Sequence, residues 1–237
     1  MKYFELMNKA ACDKGIPYDN EKHEKFMIYM ESIKEWNSKI NLTAINEDED
    51  IVKKHFIDCM TIFDFKKLPK AKKIIDIGTG AGFPGIPIKI LYPEIEVTLL
   101  DSLNKRINFL NYVIDKLQLK KISAIHARAE ELVLNDRSFR QTYDFAVSRA
   151  VANLKVLSEL CLPYVKRQGY FIAMKGPSAD QEIQESKEII GKLGGKIEDI
   201  IETNIEETDF KHKLVIINKI RNTPEIYPRK KNKIYKK

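Results

Sequence analysis

Residues 74–85, IIDIGTGAGFPG, run from an apolar stretch into an acid and then into four glycines, with Pro84 beside the last. A loop so poor in Cβ atoms permits positive φ and lets backbone N–H groups approach a bound molecule closely. The segment therefore reads as a strand that ends on a ligand-cradling loop and leads into a helix. Downstream the rhythm repeats: β-rich runs at 73–76, 96–101, 122–126, 143–148 and 170–174 alternate with helical stretches at 85–91, 103–116, 153–160 and 179–193. Such alternation specifies a mostly parallel sheet covered on both faces. The last helix carries a capping box, Ser178 with Gln181, and a Gly194-Gly195 stop. Residues 196–202 and 213–219 then form two strands with no helix between them, which predicts an antiparallel hairpin at the sheet edge. That ending suits the seven-stranded, Rossmann-like sheet of a class I methyltransferase better than a six-stranded dehydrogenase sheet.

Ahead of this α/β region, Phe26, Met30, Ile33 and Ile40 recur at helical spacing after a possible cap at Asp19 or Asn20. Together with 2–12 and 55–65 they predict an N-terminal helical layer. The expected division is 1–70 for that layer, 71–220 for the α/β domain and 221–237 for a basic tail. A chain of 237 residues, 43% hydrophobic and 32% charged, is globular, and no uncharged run is long enough to span a bilayer. Its start carries charges inside the apolar stretch, so a secretory signal is not read and the expected location is the cytoplasm. Cys12, Cys59 and Cys161 are too few and too scattered for a disulfide framework, a zinc site or a redox pair. The net charge of +7 is concentrated at the end: the last nine residues, RKKNKIYKK, supply six basic groups and no acid, leaving the body near neutrality. A basic tail is the usual footprint of contact with nucleic acid.

Two ligands compete for the glycine loop. Gly80-x-Gly82-x-x-Gly85 matches the dinucleotide fingerprint, in which a pyrophosphate rests on a helix N-terminus and an acid about 20 residues on holds the ribose. Asp76-x-Gly78-x-Gly80-x-Gly82 is the equally complete pattern of S-adenosylmethionine (SAM) sites. A carboxylate beside a pyrophosphate is unfavourable, whereas the ammonium and sulfonium of SAM tolerate one, so Asp76 at the mouth of the loop favours SAM. Pro84, which cannot donate to phosphate, points the same way. Other strand ends complete the pocket: Asp101, at an exposed strand edge, as an acceptor for the ribose hydroxyls; Ser102 beside it; Ala129 and Glu130 after the third strand, with Glu130 accepting from the adenine amino group. Phe83 is placed to pack on the cofactor.

The segments DIGTGAGFPG, LLDSLNKRINFL, RAEEL, SRAVANL and MKG together resemble the ribosomal small-subunit methyltransferase G family, also called glucose-inhibited division protein B. Upstream, Trp36-Asn37, the run Lys39 to Ile45 and His55-Phe56-x-Asp58 are similar to its N-terminal signatures. Near the end, Asn222-Thr223-Pro224 and Tyr227-Pro228-Arg229-Lys230 are similar to its tail. The resemblance implies SAM-dependent methylation of ring nitrogen 7 of a guanine in 16S ribosomal RNA near the decoding site, with SAM contacts at Gly78, Phe83, Ala129, Glu130 and Arg149. The partner it implies is 16S RNA or the small subunit, with no obligate protein partner. The sequence departs where relatives place an Arg before the last strand, reading Asp209-Phe210-Lys211-His212-Lys213, and its tail ends in KNKIYKK rather than a Gly/Pro-containing stretch.

Missing motifs narrow the chemistry. Exocyclic amine methylation uses an Asn/Asp-Pro-Pro-aromatic loop after strand four, where this chain reads Ser148-Arg149-Ala150-Val151; carbon-5 methylation needs a Pro-Cys thiolate, and Cys161 follows Leu160 in a predicted helix. A ring nitrogen with a free lone pair needs no general base, so catalysis reduces to holding the reactants in line, worth about 7–11 kcal/mol of barrier. No metal is expected, since His23, His55, His126 and His212 lack ligand spacing and read as structural or surface residues. Arg149 and Lys175, at the ends of strands four and five, are the candidates for positioning substrate, Arg149 preferentially by pairing with the methionyl carboxylate. Arg229, Lys230, Lys231 and Lys233 are the candidates for RNA phosphate contacts. Two alternatives stay open at this point: a nicotinamide-dependent oxidoreductase, and a non-enzymatic RNA-binding or ribosome assembly factor.

Overall fold

The computed structural model describes residues 2–45, 47–149, 152–177, 179–204 and 211–235, with the side chains of 204, 211 and 231 outside that description. Seven strands form one sheet: β1 (Lys73–Ile77), β2 (Glu96–Asp101), β3 (Ile122–His126), β4 (Tyr143–Arg149), β5 (Val165–Lys175), β6 (Gly195–Asn204) and β7 (Lys211–Lys219). Their order is β3-β2-β1-β4-β5-β7-β6. β7 inserts antiparallel to both β5 and β6, so the expected hairpin closes the sheet with β6 at the edge. Neighbours on the β3 to β5 side pair in parallel. The order reverses between β1 and β4, and at such a switch point a crevice opens outside the carboxyl ends of the strands.

Helices α1 (Phe4–Asp13), α2 (Asn20–Ile40), α3 (Asp48–Ile51) and α4 (Asp58–Met60) make the N-terminal layer. Asp19 caps α2, accepting from Lys22 N at 2.8 Å. A π-helical turn, Val52–Ile57, joins α3 to α4. Such turns recur at functional sites because the extra residue re-aims the side chains around it. Met7, Phe26, Tyr29, Phe56 and Phe63 of this layer share one apolar core with Ile74 of β1, α5 (Gly85–Leu91) and α6 (Asn104–Lys116). On the opposite sheet face α7 (Ala129–Asn135), α8 (Leu154–Cys161), α9 (Asp180–Lys192) and the short α10 (Lys231–Ile234) cover Ile75 and Ile77. The alternation of Ile74, Ile75 and Ile77 between two cores is what a doubly covered parallel strand requires.

Two elements differ from the expected layout. β5 begins at Val165 rather than 170, because the polar stretch Lys166-Arg167-Gln168, whose Gln168 has φ 67°, still pairs through Val165 with Tyr143. α7 is a short helix that the sequence reading did not delimit. The capping box read from Ser178 falls on a residue outside the described ones; α9 starts at Asp180, whose carboxylate holds Lys213 Nζ at 2.6 Å.

Candidate active site

The glycine loop is a cradle tied down from three sides. Gly78 N and Thr79 N donate to Leu100 O, Gly80 N donates to Asp101 Oδ2 at 3.0 Å, and the Tyr29 hydroxyl of α2 donates to Ala81 O. Glycine is required at two places for steric reasons. A Cβ on Gly82, where φ is 102°, would lie 2.5 Å from Ile86 Cδ1; one on Gly85 would lie 2.3 Å from Leu99 Cδ2 and 2.9 Å from Asp76 Oδ2. Beyond the loop lies a cavity of about 600 Å³. It is walled by Gly78, Gly80 and Phe83 of the loop, by Asp101, Ser102, Ala129 and Glu130, and by Arg149 and Lys175. The strand ends thus bring together most of the residues singled out from the sequence.

Asp76 is the exception. It is buried behind the loop and does not line the cavity. Its Oδ2 accepts from Thr79 Oγ1 at 2.7 Å and from Gly85 N at 2.8 Å, while Oδ1 has no partner. Burial lifts its carboxyl to about 7, against the lowering effect of those two bonds. Asp76 therefore shapes the loop, and the negative charge expected of it at the loop mouth comes from other acids. Asp101 is one of these, though it is not at an exposed edge: only 3% of it is accessible, since it accepts from Gly80 N, Leu103 N and Arg106 Nη1. A carboxylate offers about four acceptor positions, so three protein donors leave room for one more. Glu130 is buried at the start of α7, and its Oε1 faces no donor.

The wall opposite the loop was not foreseen. His55 and Asp58, on the π-helical turn and the start of α4, line the cavity with His212 of β7. Arg149 Nη1 donates to Asp58 Oδ2 at 3.0 Å and to Lys54 O at 3.3 Å; Nη2 lies 3.2 Å from His55 Nδ1; Cζ stands 4.7 Å above the Phe83 ring. His212 Nδ1 donates to Asp58 Oδ1 at 2.5 Å. His55 Nε2 lies 2.9 Å from Thr43 Oγ1. Burial, helped by the Arg149 charge, pushes His55 down to about 4, so its ring is neutral at physiological pH. His55 and His212, read from the sequence as structural or surface groups, thus also line the cavity while bonded to Thr43 and Asp58. The His55-x-x-Asp58 spacing was the available signal, because it puts both side chains on one helix face.

Two expected RNA contacts are already engaged. Arg229 is clamped on the buried Glu159, with Nη2–Oε2 at 2.7 Å and Nε–Oε1 at 3.0 Å, so part of its guanidinium already serves an internal ion pair. Lys175 is mostly buried and donates to Ala152 O and Glu182 Oε2, both at 2.8 Å, which secures the chain after β4 rather than leaving a free cation. Lys230 and Lys233 are exposed; the side chain of Lys231 lies outside the described residues. The tail does not trail away. Arg140 donates to the carbonyls of Tyr227, Thr223 and Pro224, Ile234 enters the second core, and Tyr235 reaches the cavity.

The geometry also decides between the two nucleotides. Around the start of α5, Gly82 N and Phe83 N donate to Thr79 O, Gly85 N to Asp76 and Ile86 N to Gly82 O, and Pro84 has no N–H. A pyrophosphate would find these donors already used. Comparison with known proteins agrees: the family described as rRNA small subunit methyltransferase G matches residues 22–213. A ribosomal RNA small subunit methyltransferase G of Clostridium perfringens (strain SM101 / Type A) is 56% identical over 237 residues, covering 100% of this chain and 99% of the relative. One from Clostridium tetani is 57% identical over the same span and shares. The chain belongs to this family. It is a SAM-dependent rRNA methyltransferase, and neither a nicotinamide-dependent oxidoreductase nor a non-enzymatic RNA-binding factor. Among solved structures, a proposed RNA methyltransferase of Pyrococcus horikoshii has the same fold, with a TM-score of 0.52 at 8% identity over 69% of this chain and 82% of that one. The residues fit SAM: a glycine cradle that no side chain fills, a buried Glu130 oxygen without a donor, and a remaining acceptor position on Asp101.

Proposed function

We propose that the enzyme methylates N7 of a guanine in 16S ribosomal RNA near the decoding site, acting in the cytoplasm on free RNA or on the small subunit. SAM supplies a methyl group on a cationic sulfur. On this reading Glu130 would accept from the adenine amino group and Asp101 from a ribose hydroxyl. Gly78, Phe83 and Ala129 would line the cofactor, with Ser102 at its edge. Arg149 keeps N–H groups beyond those given to Asp58, Lys54 and His55, and these would meet the methionyl carboxylate. The division at 70 and 220 then has a functional sense: the helical layer closes the substrate side, the α/β domain holds the cofactor, and the tail clasps the far face.

The observation that carries the choice of a ring nitrogen is the state of the candidate bases and nucleophiles. Cys59 and Cys161 are fully buried with their thiols pushed well up by burial, and the exposed Cys12 does not line the cavity, so the thiolate that carbon-5 chemistry needs is missing from the lining. His55, the neutral imidazole in the wall, is too weak a base to take a proton from an exocyclic amine. N7 of guanine carries no proton and needs neither. The side chains therefore only orient the base and exclude water. No helix among the described residues is long and apolar enough to cross a membrane. Mapping of 7-methylguanosine in 16S RNA from cells with and without this protein tests the proposal: one guanine loses its methyl group in the deletion, and an unchanged map would refute it.

A further inference from the structure

Asp58 belongs to the N-terminal layer, yet it sits in the cavity wall, 1% exposed, between two cations or donors from distant strands. Its oxygens take Arg149 Nη1 at 3.0 Å and His212 Nδ1 at 2.5 Å. Three other cavity cations have acids of their own: Lys54 with Asp50, Arg106 with Asp101, Lys175 with Glu182. A guanidinium drawn out of water is costly unless an opposite charge meets it with good geometry. Left without that charge, Arg149 would also raise the positive potential of a cavity whose ligand carries a sulfonium.

We propose that Asp58 is a positioning residue for the cofactor site: its carboxylate seats Arg149 against Phe83 and keeps the wall electrically neutral toward a cationic ligand. The inference rests on the enzyme's use of SAM. It assigns to the helical layer a direct electrostatic task in the α/β domain, carried by a contact 91 residues apart in sequence. Removing the carboxylate while keeping the shape should disfavour SAM relative to its demethylated counterpart S-adenosylhomocysteine, whose sulfur is a neutral thioether. A loss of packing alone would weaken both ligands together.

The test is calorimetric titration of full-length wild type, Asp58→Asn and the double variant Asp58→Asn with Arg149→Met with each ligand. The ratio of the SAM Kd to the S-adenosylhomocysteine Kd is expected to rise roughly tenfold in Asp58→Asn, the scale of one uncompensated charge across a partly buried site. In the double variant, which lacks both charges, it should return to within about threefold of wild type, even though both affinities fall. Should Asp58→Asn melt, Asp58→Ser, which leaves space for water beside Arg149, carries the same comparison. A ratio in the single variant equal to that of wild type, or a double variant as shifted as the single, overturns the proposal. Wild type that bound neither ligand would instead sink the cofactor reading itself.

Discussion

The two walls of the cavity are built in opposite ways. The loop side is local: Asp76 reaches Gly85 nine residues on, and Asp101 reaches Gly80 across 21. On the other side, Asp58 meets Arg149 across 91 residues and His212 across 154. Apart from the Tyr29 hydroxyl of α2 on Ala81 O, the first wall needs only β1, β2 and the loop between them, and its bonds are made mostly to backbone. The second exists only when the N-terminal layer, β4 and β7 are all in place, and its bonds join charged side chains. The cofactor-holding wall is therefore rigid by construction, while the opposite wall depends on long-range assembly and on charge balance.

The contrast can be broken most forcefully at Gly85. Gly85→Ala drives a methyl group into Leu99 and Asp76, so we expect a loss of about 2–4 kcal/mol in urea unfolding, together with loss of SAM binding. Wild-type stability would show that the loop wall is not rigid. Next is the tail, where the structure separates two kinds of cation. Arg229→Gln leaves Glu159 buried without its ion partner and should cost about 1–3 kcal/mol of stability, leaving the salt dependence of RNA binding unchanged. Lys230→Gln with Lys233→Gln should do the reverse, sparing stability and flattening the log–log salt slope by about 0.7 per lost contact. Glu130→Gln should weaken SAM roughly tenfold in calorimetry with little change in melting, because the oxygen it alters has no protein donor. An unaltered Kd would remove Glu130 from the site.

The subtlest expected effect concerns Asp76. Burial lifts its carboxyl from the usual carboxylate range to about 7 in the folded chain, which therefore holds an extra proton between those values. Stability contributed by this group is therefore greatest at low pH and declines as pH rises toward 7. Asp76→Asn should flatten that decline in urea midpoints taken from pH 5 to pH 8; parallel curves for the two proteins would contradict the assignment.

How much of this was legible follows from the same contrast. β2, β3 and α5 fall on the residues expected of them, because an apolar run bounded by polar turns leaves little choice. Gly78, Gly80, Phe83, Asp101, Ser102, Ala129, Glu130 and Arg149 meet at one cavity because parallel-strand topology collects strand ends on one edge. What stayed hidden was what each side chain touches. Nothing near Asp76 in sequence says that it faces inward, and nothing near Arg229 announces that Glu159, 70 residues earlier, will hold it. The His55-x-x-Asp58 signature was visible as a pattern, but its partners come from β4 and β7.

Methyl transfer from labelled SAM to 16S RNA by the purified enzyme, with the product digested to nucleosides, tests the whole account most directly. We expect label in 7-methylguanosine and at a single guanine. Label in a methylated exocyclic amine or in a pyrimidine carbon, or RNA that binds without acquiring label, would contradict it.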